Sequence, residues 1–99
     1  MADLIEIEHP GVMLKEDFLD GLGIRSGTLA AAIKTDRAAI KNIIDGKRAI
    51  TAEMALRFGI FFGTSPEFWL NLQKDYDLRI AKRARANELS EFIKPYKVA

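Results

Sequence analysis

Between residues 24 and 48 the chain reads IRSGTLAAAIKTDRAAIKNIIDGKR, two short apolar-periodic stretches separated by three residues. Helices joined by so short a link, Lys34-Thr35-Asp36, must cross steeply against one another. Ala30 supplies the small residue that such a crossing needs, and Leu29, Ile33, Ile40 and Ile43 form the shared core. The leading helix of the pair is predicted from about Ser26 to Ile33. Asp36 is placed to cap the next, at about residues 36–45, which Asp45-Gly46 ends.

The rest of the chain is punctuated the same way. Met13, Leu14, Phe18 and Leu19 recur at helical spacing, and Gly21 and Gly23 stop that first helix. Thr51 caps a fourth helix running to about Phe62, with Glu53 in its first turn and Gly63 as its left-handed stop. Thr64-Ser65-Pro66-Glu67 opens a fifth, which is expected to run into the basic stretch Arg79, Lys82, Arg83 and Arg85. The tail from Asn87 holds Leu89, Phe92, Ile93 and Tyr96, enough to dock on something, with Pro95 preventing a long helix. Residues 2–8 alternate polar and apolar and predict a short extended arm before His9-Pro10-Gly11. The expectation is an all-α, five-helix single domain over residues 1–99, with a helix-turn-helix at about 24–48 and a C-terminal dimerisation extension at about 64–99.

Charge is unevenly placed. Residues 1–20 carry six acids and one base, whereas residues 21–50 carry six bases and two acids. Such asymmetry suits one face to a polyanion and another region to a different partner. There is no cysteine, which excludes disulfides and thiolate metal sites. No apolar run approaches the roughly 20 residues that span a bilayer, and the acidic start lacks the basic segment of a signal peptide. A soluble cytoplasmic protein is expected.

The stretch at 36–45 carries the functional reading. Its outer face presents Arg37, Ala38, Lys41 and Asn42, with Ala39 beside them. Small residues near the N-terminal end let a helix sink into a major groove, where Arg37 suits guanine and Asn42 adenine. Lys41, Lys47 and Arg48 suit phosphates, as do the residues that open the preceding helix, Ser26, Gly27 and Thr28. Periodicity alone leaves open a small bundle that never touches DNA, with Arg37 and Lys41 as solvated surface charges.

Four segments together resemble the HigA family of antitoxins, small XRE-type helix-turn-helix proteins. They are HPG at 9–11, residues 24–48, DGKRAITAEMALR at 45–57 and GTSPEFWLNLQKDYDL at 63–78. The resemblance covers roughly residues 9–80, and its last two segments are the specific ones. It implies a five-helix, lambda-repressor-like domain that dimerises and binds double-stranded operator DNA, an inverted repeat in its own promoter. It also implies neutralisation of a HigB-like toxin of the RelE kind, which cuts mRNA on the ribosome. Three residues depart from the family's pattern. Ser26 stands where many relatives have glutamine, Lys34 replaces the turn glycine and must accept an unusual backbone angle, and Asp45 sets a carboxylate near phosphates where asparagine is common.

Trp69, Leu72 and Tyr76, with Phe68 next to them, read as core or dimer packing along one helical face; the resemblance implies that this helix contributes to the dimer. His9, the lone histidine, reads as a turn or capping residue. Glu16, Asp17 and Asp20 form either a solvated face or, with the acidic arm, a surface for a basic toxin. The run Arg79–Arg85 fits DNA backbone, an extended dimer helix or plain solvation. No nucleophile–base pair, metal-ligand cluster or glycine-rich phosphate loop is legible, so neither an enzyme nor a cofactor or metal is expected. A stand-alone regulator of the same fold, without a toxin, is the alternative.

Overall fold

A computed structural model describes residues 7–96, and all the structured elements in them are helical. The predicted arm at residues 2–8 falls mostly outside the described part. α1 spans Pro10–Met13 and continues as a wider π-helical segment, Leu14–Asp20, in which the Gly21 N–H reaches back to the Glu16 carbonyl. The first helix thus has its expected inward residues, with Leu14 and Leu19 buried, but a looser winding than periodicity indicated. Gly21 is still helical; Gly23, at φ 69°, makes the stop. α2 (Ser26–Ala32), α3 (Arg37–Ile44), α4 (Ala52–Phe62) and α5 (Pro66–Phe92) follow.

Local chemistry sets most of these limits. The side chains of Asp36, Thr51 and Ser65 accept the N–H groups of Ala39, Met54 and Phe68, respectively, each capping its helix. Gly63, at φ 75°, closes α4. α5 continues to Phe92, beyond the basic stretch and through the tail that Pro95 was expected to keep from helix. Proline disfavours helix only at its own position and the one before it, so Pro95 permits the turns ahead of it.

One core joins the elements. Leu29, Ala30, Ile33, Ile40 and Ile43 are buried together, as the crossing of α2 and α3 requires. On the other side Trp69 is wholly buried among aromatic rings, its centroid 4.8 Å from that of Phe18 and 5.0 Å from that of Phe58. Its indole N–H donates to the Thr64 hydroxyl at 2.8 Å, so the ring is placed by packing and by a hydrogen bond. A methyl group on Gly11 would collide with the backbone of Ile43, so the missing side chain lets the first helix lie directly on the end of α3.

Candidate nucleic-acid interface

α3 has a sharply divided surface. Asp36 caps its start, and packing on the core turns Ala39, Ile40 and Ile43 inward and leaves Arg37, Ala38 and Lys41 outward, with Asn42 half-buried at the edge. Ala39, grouped in the sequence reading with the base-reading residues, is 3% exposed and belongs to the core. It lies one turn from Ile43 on the inward face, so its side chain has no access to a duplex.

The outward residues meet the start of α2. Arg37 lies across Gly27, where an added Cβ would sit 3.4 Å from its Cδ. Ser26, Arg37, Ala38 and Lys41 line one open hollow with Lys15 of the first helix. Ser26 and Gly27 are half-buried and Thr28 is exposed, and α2 has no side-chain cap on its first N–H groups. The lone base among the acids of residues 1–20, Lys15, was the one available signal that the first helix reaches this face. Its ammonium donates to Asp20 at 2.8 Å, and that hydrogen bond holds its pKa above the usual lysine value.

Both ends of the helix pair are closed by the same backbone device. After α2, the Thr35 N–H reaches the Ala30 carbonyl and the Lys34 N–H that of Ala31, with Lys34 left-handed at φ 62°. After α3, Lys47 reaches Asn42 and Gly46 reaches Ile43, with Gly46 at φ 76°. The second closure leaves Lys47 and Arg48 exposed just beyond the outward face. Lys41 is partly engaged, pairing with Asp45 at 3.0 Å one turn further on.

Two residues that the sequence reading missed hold this frame. Arg57 of α4 donates through Nη1 to the carbonyls of Ile33 (2.6 Å) and Lys34 (3.0 Å), while Glu53 grips its other side. Buried Gln73 of α5 accepts the Ile50 N–H at 2.9 Å and donates to Asp77, fixing the end of the loop that bears Lys47 and Arg48. His9 caps α1 by accepting the Gly11 N–H at 3.0 Å and packs edge-on against Tyr76 at 4.9 Å. Burial pushes the His9 pKa below its ordinary value, against a smaller upward pull from Asp77. Of the aromatic stripe, Trp69 is fully internal, and Phe68, Leu72 and Tyr76 are half-buried against their own chain.

Two short helices joined by the tight turn at residues 33–36 and packed on a shared core, with the basic face of the second turned outward, have the layout of a helix-turn-helix. No protein-family model matches the chain. It is 41% identical to antitoxin HigA-1 of Vibrio cholerae over 85 residues, 86% of this chain and 79% of that protein. It is 51% identical over 71 residues to virulence-associated protein A' of Dichelobacter nodosus, covering 71% of this chain and 61% of the relative. The Pseudomonas aeruginosa antitoxin HigA, solved with the higBA promoter, superposes with a TM-score of 0.88 at 36% identity, over 93% of this chain and all of that one. The chain belongs to the HigA family of helix-turn-helix antitoxins. Among the described residues no helix is long and apolar enough to cross a membrane.

Proposed function

We propose that this protein is a DNA-reading antitoxin that represses its own operon as a dimer and neutralises a HigB/RelE-like mRNA endonuclease. The observation that carries the reading is the outward face of α3, in a fold that follows a HigA solved with its promoter over nearly the whole chain. Arg37 and Asn42 read base edges, and Ala38 lets the helix approach them. Ser26, Gly27, Thr28, Lys41, Lys47 and Arg48 hold phosphates on either side. One helix touches too few base pairs for specificity, so two copies address half-sites about 34 Å apart. The helix-turn-helix at 24–48 reads, and the extension from residue 64 pairs the copies. The protein acts in the cytoplasm, without cofactor or catalysis.

The experiment is a binding titration on the DNA upstream of the protein's own reading frame, followed by co-purification with the product of the neighbouring gene. Cooperative retention on an inverted repeat, and capture of a basic RelE-like partner, are expected. A second reading, a stand-alone regulator, draws on similarity to an HTH-type transcriptional regulator of Haemophilus influenzae, 41% identical over 68 residues. An isolated gene and no captured partner would favour it.

A further inference from the structure

The first helix carries its one base apart from its acids. Gly11 sits against the Ile43 carbonyl, and Lys15 follows it by one turn, on the side of the helix that meets α3. Among the described residues of the first helix, only Lys15 lines the hollow that Ser26, Arg37 and Lys41 also line. An α-helix brings together residues three or four apart, yet the Lys15 ammonium meets Asp20, five residues on, at 2.8 Å. The π-helical winding of Leu14–Asp20 makes this pair possible, because each of its turns closes on the fifth residue, as the Gly21 N–H does on Glu16. Both partners are more than half exposed, the Lys15 side chain 53% and that of Asp20 59%. A pair so open to water is worth little and is readily exchanged for another anion.

We propose that Lys15 is a DNA-backbone contact supplied by the first helix, and that Asp20 holds its ammonium until a phosphate of the duplex displaces the carboxylate. The inference rests on the DNA-binding reading above and adds a residue to it. Lysine is a compact, strongly hydrated charge on a flexible stem, suited to a phosphate rather than to a base edge. Across the hollow, Arg37 and Lys41 add positive charge where that phosphate lies. The carboxylate in the lining is that of Asp45, and Lys41 already holds it at 3.0 Å. Asp20 lies outside the lining, so the exchange draws the ammonium away from the acids of its own helix and toward the duplex. Carboxylate and duplex compete for one cation. Asp20 therefore subtracts from DNA affinity without touching DNA.

The test is a set of titrations of the parent, Lys15→Gln, Asp20→Asn and the double variant, on the upstream duplex and a scrambled one, over a series of salt concentrations. Lys15→Gln, at an exposed position that spares the fold, is expected to weaken both duplexes alike. It should also lower the slope of log affinity against log salt by about one for each protomer bound. Lys15→Arg, which keeps the charge, should restore both. Asp20→Asn is expected to tighten binding by about twofold to fivefold, and that gain should vanish in the Lys15→Gln background. An equal gain there would reflect only the loss of a repelling charge and would overturn the role given to Asp20. Unchanged affinity and slope in Lys15→Gln would overturn the contact while leaving the DNA-binding reading intact. A loss confined to the upstream duplex would also overturn it, since a phosphate carries no sequence. A parent that holds neither duplex would overturn both.

Discussion

Arg57 reaches from α4 to the carbonyl of Lys34, 3.0 Å away, and so secures the one non-glycine residue with a positive φ among those described. The same nitrogen takes the carbonyl of Ile33 at 2.6 Å. A guanidinium thereby satisfies the C-terminal carbonyls of α2 at the point where the chain turns toward α3. The angle between α2 and α3 is held by a residue outside both.

Arg57→Ala should therefore destabilise the fold by about 1–3 kcal/mol, since it strips charged hydrogen bonds from two carbonyls. Urea unfolding measures the loss. Operator affinity should fall as well, although Arg57 faces α2 rather than the proposed reading surface. A stability unchanged within experimental error would remove Arg57 from this role.

Lys34→Gly should act the other way. A left-handed backbone disfavours any residue with a Cβ and suits glycine, so the substitution should raise stability by about 0.5–1 kcal/mol. The midpoint of unfolding in urea should rise with an unchanged slope.

Asp45→Asn should tighten binding to any duplex. The carboxylate holds Lys41 at 3.0 Å and adds a negative charge beside the proposed phosphate contacts. The substitution releases Lys41 and should improve affinity by about 0.5–1 kcal/mol. It should also steepen the salt dependence, because one more cation displaces counterions. Titrations at two salt concentrations measure both effects.

His9 predicts a pH dependence of stability. Burial lowers its folded-state pKa, so the unfolded chain takes up the proton first. The stability that His9 contributes is complete above about pH 6.5, the ordinary imidazole value, and is lost as pH falls through the lower folded value. The geometry agrees, because a proton on Nδ1 abolishes the acceptor for the Gly11 N–H. His9→Asn keeps a capping oxygen but does not titrate. Unfolding at pH 7.5 and 5.5 should show a smaller difference for this variant than for the parent.

How much of this was legible in the sequence depends on the range of each interaction. Asp36, Thr51 and Ser65 could be recognised as caps because each bonds a partner three residues away. The strained turn at Lys34 followed from the resemblance, whose pattern has glycine at that position, and its φ of 62° agrees. Arg57 and Gln73 were invisible for the opposite reason, since their partners lie 23 or 24 residues away and only packing brings them together. The π-helical winding of Leu14–Asp20 leaves no mark on apolar spacing. Ala39 was misplaced because alanine fits either face, and only its packing in the core shows that it turns inward.

The most direct test of the reading face compares parent, Arg37→Ala and Lys47→Ala on two duplexes, the DNA upstream of the reading frame and a scrambled one. Fluorescence anisotropy gives both affinities under matched salt. The parent should prefer its own site by about a thousandfold or more. Arg37→Ala should lose about 1–3 kcal/mol of that preference at the upstream site, and Lys47→Ala should weaken both duplexes alike while keeping the preference. No preference in the parent, or a preference that survives Arg37→Ala intact, would contradict the assignment of α3 as the reading helix.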